Sequence, residues 1–409
     1  MATINANFNK LASGYLFPEI ARRTAQWQQR NPGIQVMRLG IGNTTEPLPA
    51  AVQEAMKEKV DKLGDVATYT GYGDEQGDTY LREGVVEYYR RWGVELESTE
   101  VFISDGAKSD AANIQQIFGT ENVVAITDPA YPVYVDSNVV GGRSGSFNTE
   151  RGQYDGFVYL TTDEAGRFIP TPPEEKVDLI YLCNPNNPTG AVATHQEVKA
   201  FVDYALEHKA VIIYDSAYSE YITQEGYPRS IYEIEGAKEC AIEINSLSKF
   251  SGFTGVRLGW TIVPKALVCE DAEAGVLNGM WNRRQTTFFN GASNVAQAGG
   301  YAALFGKGYE ESRALVEYYL GNAKIIRDVL GELGLTIYGG INSPYVWAKT
   351  PNDMDSWEFF DLLLERCHVV VTPGGGFGPA GKNYVRFSSY GHREDIERAM
   401  QSVKEHAGI

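Results

Sequence analysis

Ile242-Glu243-Ile244-Asn245-Ser246-Leu247-Ser248-Lys249 is the stretch on which the reading of this 409-residue chain turns. Ile242 to Asn245 is a short apolar run of strand type, and two hydroxyls and a lysine stand at its end. The loop Phe250-Ser251-Gly252-Phe253-Thr254-Gly255-Val256-Arg257-Leu258-Gly259-Trp260 follows, placing an arginine eight positions beyond Lys249. A lysine taken out of water can act as a Schiff-base nucleophile. Ser246, Ser248 and Arg257 together suit a phosphate, with two hydroxyl donors and a fork-shaped cation. Read alone, the same residues also fit a polar surface loop with an ordinary lysine.

Working outward, similar apolar runs recur at Val101-Phe102-Ile103, Val123-Val124-Ala125-Ile126, Leu179-Ile180-Tyr181-Leu182 and Val211-Ile212-Ile213-Tyr214. Most are continuous rather than alternating, which fits strands covered on both faces. Helical patterns lie among them. Pro49 to Leu63 carries Val52, Met56, Val60 and Leu63 on one stripe, with Pro early. Asp78 to Trp92 carries Leu81, Val85, Tyr88 and Trp92, with Gly93 as the stop. His195 to His208 is a third. This alternation predicts an α/β fold: three layers, a mostly parallel sheet with helices on both faces.

Beyond residue 311 the pattern changes. A long helix over Gly308 to Leu333 precedes strand-like Thr336 to Tyr338 and Tyr345-Val346-Trp347. Helices are expected over Ser356 to Cys367 and Glu394 to His406. The expected division is a large domain over 49–310 and a smaller α+β domain over 311–409, to which the arm 1–48 contributes.

Composition narrows the function. There are 36 Lys+Arg against 53 Asp+Glu, a formal net charge of −17, with 43% hydrophobic and 22% charged residues. This is a globular composition, and so acidic a chain is not expected to bind nucleic acid. No apolar run reaches membrane-spanning length. The four Cys lie far apart, and the five His show no paired spacing, so neither disulfides nor a metal is expected. The start of the chain has no basic segment leading into an apolar one, so a cytoplasmic enzyme is expected, or one in an organelle stroma if a transit peptide has been removed.

Three further segments carry chemistry. Asp215, in Tyr214-Asp215-Ser216-Ala217-Tyr218, ends a strand where α/β folds bind ligands, though it also suits a helix cap. Cys183-Asn184-Pro185-Asn186-Asn187-Pro188-Thr189-Gly190 has two Asn-Pro steps and a Gly, a rigid turn that presents Asn187 as a fixed amide. Val101 to Lys108 reads as strand, Gly turn and helix start, an arrangement of free amides that favours an anion.

The turn Asn-Pro-x-Asn-Pro-Thr-Gly comes first, Asp-x-x-Tyr begins 28 residues after Asn187, and Ser-x-Ser-Lys with its Arg follows. In this order and spacing the chain resembles the fold-type I aminotransferases that use pyridoxal 5'-phosphate, over nearly its whole length. Asn7-Phe8-x-Lys10-Leu11 to Phe17, Arg38 to Leu48, Tyr72-Gly73-Asp74-Glu75-Gln76-Gly77 and Phe289-Asn290-Gly291-Ala292-Ser293-Asn294 resemble the branch of that family acting on diaminopimelate.

The resemblance implies roles. Lys249 would carry the cofactor and then move the proton, and Asp215 would pair with the pyridine nitrogen. Asn187 and Tyr218 would bond the ring oxygen. Arg257, Ser246, Ser248 and the amides of Ala107 and Lys108 would hold the phosphate. Tyr72 would reach it from the neighbouring subunit of a homodimer, Tyr131 would lie against the ring, and Asn290 would belong to the same site. Arg386, in Tyr384-Val385-Arg386-Phe387-Ser388, would grip the substrate α-carboxylate beside Gly42. Tyr15, Glu75, Lys108 and Asn290 would meet the distal amino-acid end, together with Tyr131 and Asn187 nearer the ring. Taken singly, Tyr72 and Tyr131 also suit aromatic packing, Arg386 a structural ion pair, and Glu75 and Lys108 solvated surface.

The implied reaction moves an amino group between glutamate/2-oxoglutarate and tetrahydrodipicolinate/diaminopimelate, in lysine biosynthesis. An aspartate or aromatic aminotransferase, with Arg283 and Arg284 serving a dicarboxylic substrate, or a lyase of the same fold, uses the same motifs. A cofactor-binding regulator without activity is the remaining alternative. Gly376-Phe377-Gly378-Pro379-Ala380-Gly381-Lys382 approximates a phosphate loop, but Asn383 stands where Ser or Thr belongs. A glycine-rich turn before the Arg386 strand is expected instead.

Overall fold

The structure, a computed structural model, describes residues 1–12 and 16–409. Seven strands build the main sheet: β1 (Val101–Ser104), β2 (Val124–Asp128), β3 (Phe157–Thr161), β4 (Leu179–Cys183), β5 (Val211–Asp215), β6 (Ala241–Ser246) and β7 (Gly259–Ile262). Their order across the sheet is β1-β7-β6-β5-β4-β2-β3. β7 runs antiparallel to both its neighbours, and the remaining pairs are parallel. Every residue of β2, β4, β5 and β6 is buried, so both sheet faces are covered, and this is why these strands read as unbroken apolar runs. β3 and β7 were not expected from the sequence. β7 lies directly after the polar loop, and its Gly259 and Thr261 interrupt the apolar run.

A second sheet holds β8 (Ile337–Gly339), β9 (Tyr345–Lys349), β10 (Thr372–Pro373) and β11 (Tyr384–Ser388), in the order β8-β9-β11-β10, all antiparallel. Met37–Arg38 pairs in parallel with Val369–Val370, which ties the N-terminal arm to this part. Two apolar cores result. One surrounds the main sheet; the other gathers Trp27 and Leu39 from the arm with Trp347, Phe360 and Met400. The helix Gly306–Glu332 serves both, giving Val316 and Tyr319 to the first and Ala323, Ile326 and Leu330 to the second. The boundary expected at residue 311 falls inside it.

Ala50–Leu63 and Thr79–Arg90 are helices close to the expected bounds, and His195–His208 matches them, with a Thr194/Glu197 capping box. Of the stripe on Ala50–Leu63, only Val52 is buried, and Val60 is exposed. The period is helical, but Met56 and Leu63 are only half-buried, so the far end of this face is left open in one chain. The helix Ser356–Leu362 ends in a wider π turn over Leu363–Cys367. Among the described residues, no helix is long and apolar enough to cross a membrane.

Candidate active site

The C-terminal ends of β4, β5 and β6 open on one cavity of about 410 Å³, the place where α/β sheets present ligands. β4 leads into the Asn187 turn, β5 ends in Asp215, and β6 delivers Ser246, Ser248 and Lys249. The wall opposite comes from the arm and from β9 and β11, which bring Gly42, Tyr345 and Arg386. Ala107, Lys108, Tyr131, Tyr218 and Arg257 complete the expected residues found there.

The phosphate end is a cradle of donors. The Ser246 hydroxyl accepts from the Ser248 amide at 3.1 Å and donates to the Ser248 hydroxyl at 3.0 Å. Arg257 Nη1 reaches that hydroxyl at 3.2 Å. Gly106 precedes the helix Ala107–Asn113 at φ +122°, with no side chain to cap the helix amides. A Cβ on Gly106 would stand 2.4 Å from Arg257 Nη2, so only glycine lets the guanidinium lie against the helix start. Arg257 holds φ +70°, an uncommon conformation for a non-glycine residue. Among the described residues no carboxylate pairs with it. Two hydroxyls, helix amides and an unneutralised guanidinium fit a phosphate.

The centre is built around a buried carboxylate and a half-buried amine. Asp215 is 7% exposed; Oδ2 accepts from the Tyr134 hydroxyl at 2.7 Å and Oδ1 from the Ala217 amide at 3.1 Å. Burial pushes its carboxyl up, against those two donors and the charge of Lys249. Lys249 Nζ donates to the Gly42 carbonyl. Burial, then the cations Arg386 and Arg257, push its ammonium down to about 7, while Asp215 works the other way. An amine half deprotonated near neutrality is a nucleophile and a base. A carboxylate below and a cationic cradle at one end fit the ring nitrogen and phosphate of pyridoxal phosphate.

Arg386 is 1% exposed, yet among the described residues no carboxylate lies within ion-pair distance. Its Nη1 donates to Asn187 Oδ1 at 2.5 Å and its Nη2 to the Gly40 carbonyl at 2.7 Å, while Nε has no hydrogen-bond partner. The guanidinium lies 4.3 Å from the Tyr345 ring centroid and 5.0 Å from that of Phe377. A buried, unneutralised fork facing a cavity is arranged for a carboxylate ligand. Gly42 lies beside it, where a Cβ would come within 2.6 Å of the Tyr345 hydroxyl.

Three expected residues do not line the cavity of their own chain. Tyr72 is 90% exposed, Asn290 is exposed and Glu75 half-buried. Their segments lie together: Asn294 donates to Thr70 and to the Gly71 carbonyl, and Gly291 packs against Asp74 and Glu75. Arg283 and Arg284 also lie outside the cavity; Arg284 bonds Gln116 and Gln285. Tyr15 falls outside the described residues. The turn Gly374–Phe377 precedes β11 and puts Phe377 beneath Arg386.

Two tyrosines at the site were not anticipated. Tyr134 stands one helical turn after Tyr131, in a Tyr-Pro-x-Tyr run whose spacing carries the signal. The sequence marks Tyr345 as a strand residue only. Its hydroxyl lies 2.8 Å from that of Tyr218.

The sequence model of the family "Aminotransferase class I and II" matches residues 34–403. Among solved structures, an L,L-diaminopimelate aminotransferase from Chlamydomonas reinhardtii is 46% identical, covers 99% of this chain and 98% of its own, and superposes with a TM-score of 0.93. Substrate-bound BacF from Bacillus subtilis is 26% identical over 99% of this chain and 98% of its own, with a TM-score of 0.82. An aspartate aminotransferase from Thermus thermophilus, crystallised with maleate, shares the fold at 22% identity, covering 99% of each chain, with a TM-score of 0.82.

Proposed function

The chain belongs to the class I and II aminotransferases and is a pyridoxal-phosphate-dependent transaminase, and on that premise we propose that its substrate pair is diaminopimelate and its cyclised keto form, tetrahydrodipicolinate. Glutamate and 2-oxoglutarate are the partner pair, and the reaction serves lysine biosynthesis in the cytoplasm or an organelle stroma. The 46% identity to the Chlamydomonas reinhardtii L,L-diaminopimelate aminotransferase, spread over 99% of this chain, carries the reading. The Tyr72-to-Gly77 and Phe289-to-Asn294 segments, which resemble the diaminopimelate-acting branch of the family, support it.

Bound in the cavity, pyridoxal phosphate supplies an electron-accepting ring that stabilises negative charge at the substrate Cα. The chain's residues do the rest. Ser246, Ser248, Arg257 and the amides at Ala107 and Lys108 anchor the phosphate. Asp215 holds negative charge at the ring nitrogen and so keeps a proton there. Arg386 orients the amino acid by its α-carboxylate, so that the Cα proton faces Lys249. Lys249 Nζ, whose ammonium is pushed down to about 7, would take that proton from Cα and hold it for return during the transfer. Asn187 and Tyr218 fix the ring oxygen. Lys108, whose Nζ lies 6.0 Å from the Tyr131 ring centroid, would meet a distal carboxylate.

The working unit in this reading is a homodimer. Tyr72, Glu75 and Asn290 lie in a surface region with exposed Val60, Val66, Tyr69 and Phe288, and a second copy seated there would bring them to its neighbour's cavity. Glu75 would supply the anion a distal ammonium needs. The test is a half-reaction screen that follows the bound cofactor's visible band across amino acids, including LL- and meso-diaminopimelate, aspartate and tyrosine. Faster conversion by LL-diaminopimelate than by aspartate or tyrosine is expected; the reverse order assigns the chain to another transaminase activity.

A further inference from the structure

Tyr345 lies where four parts of the site meet. It opens β9, opposite Ser388 of β11, and is 1% exposed. Its hydroxyl is 2.8 Å from the Tyr218 hydroxyl, and the two rings stand edge to face at 5.3 Å. The Arg386 guanidinium covers its ring at 4.3 Å. Gly42 must be a glycine because of it, and the Asn187 turn rests on its backbone, where a Cβ on Gly190 would fall 2.4 Å from the Tyr345 carbonyl. None of these contacts is required to fill an apolar core; a phenylalanine would pack as well. The hydroxyl pair is the feature a phenylalanine could not reproduce.

Either hydroxyl can donate in this pair. Once Tyr218 donates to a ring oxygen of the cofactor, its own proton is committed, and the bond to Tyr345 survives only with Tyr345 as donor. The cation above the Tyr345 ring favours that direction, because it draws charge from the phenol and makes its hydroxyl a better donor. A hydroxyl that accepts a hydrogen bond donates a stronger one in turn.

We propose that Tyr345 is a positioning residue for the transamination: through its hydrogen bond to Tyr218 it strengthens the bond from Tyr218 to the cofactor ring oxygen, and so lowers the proton affinity of the nitrogen that joins Lys249 to the cofactor. The proposal rests on the transaminase reading but on no particular substrate. Arg386, which binds the carboxylate, sits on the same ring, so the carboxylate site and the ring-oxygen site share one side chain. Asn187 makes a second link, since it accepts from Arg386 at 2.5 Å.

The test titrates the visible band of the holoenzyme with pH. Tyr345→Phe leaves Tyr218 a weaker donor, so the ring oxygen keeps more negative charge and the nearby proton is held longer. The band's midpoint is expected to rise by about half a pH unit, a fraction of what one full hydrogen bond supplies. Tyr218→Phe is expected to raise it further, and adding Tyr345→Phe to that variant is expected to change nothing more. A Tyr345→Phe midpoint equal to that of the wild type, or shifts of the two variants that add, overturns the proposal. A visible band that still responds to an amino donor keeps the transaminase reading standing in either case.

Discussion

The Tyr134 hydroxyl donates a 2.7 Å hydrogen bond to Oδ2 of Asp215, from a helix that packs beside the cavity rather than from β5 itself. Burial raises the Asp215 carboxyl, and this bond is the first of the groups that oppose it. Tyr134→Phe removes the donor, so the carboxyl moves further up and is less often ionised in acid. Pairing with a ring cation needs the ionised form. The apparent Kd for pyridoxal phosphate, measured by fluorescence titration, is expected to rise about tenfold at pH 6 and less at pH 8. An affinity equal to wild type across that range would count against the assignment of Asp215.

Lys249 gives a stability prediction with a defined sign. Its ammonium is pushed from 10.5 down to about 7 in the folded protein. The cost of burying the charge is therefore fully present below pH 7 and is relieved as pH rises from 7 toward 10.5, where the unfolded chain also loses its proton. Lys249→Met keeps the stem and removes the charge. The cofactor-free variant is expected to melt a few degrees above the wild-type apoprotein at pH 6, by roughly the size effect of a buried-charge change, with the gap closing by pH 10. Calorimetry at several pH values checks it. The same variant should load cofactor without a covalent link, and lose the visible band.

The legible parts of this protein are those where chemistry is local in the chain. Ser246, Ser248, Lys249 and Arg257 lie within twelve residues, and β5 shows itself because Val211 to Tyr214 is buried on both faces. β7 is not legible in the sequence because it follows that loop without a new apolar run and pairs antiparallel, against the pattern of the other strands. Tyr345 could not be read from sequence as a site residue, since its relation to Tyr218 spans 127 positions and depends on how β9 meets the main sheet. The stripe Val52, Met56, Val60 and Leu63 shows the helical period of Ala50–Leu63, but periodicity marks an apolar face without naming what covers it.

Arg386 should separate binding from chemistry. Arg386→Lys keeps the charge but loses the two-pronged fork, so kcat/KM for the amino-acid substrate is expected to fall about 100-fold, mainly through KM. A sharper check uses a pair of amines with and without the α-carboxylate. The wild type should favour the amino acid strongly, and Arg386→Met should treat the two nearly alike. Steady-state rates with each donor decide it; a variant that still discriminates would show that the carboxylate lies elsewhere.

The exposed aromatic and aliphatic residues near Tyr72 bear on assembly. Val66 is 98% and Phe288 72% exposed in one chain, and large apolar side chains in one exposed region commonly mark an interface. If a second copy covers them and carries Tyr72 and Glu75 to its neighbour's cavity, charge placed there must separate the copies and empty the site together. The wild type is expected to sediment as a dimer at micromolar concentration, and the Val66→Glu/Phe288→Glu variant as a folded monomer with little turnover and weakened cofactor binding. Tyr72→Phe, which removes only a hydroxyl, should stay dimeric and bind pyridoxal phosphate a few-fold, on the order of one hydrogen bond, less tightly. Analytical ultracentrifugation beside cofactor titration reads both effects. A monomeric double variant that turns over at the wild-type rate would mean that each chain carries a complete site, and that Tyr72, Glu75 and Asn290 take no part in it.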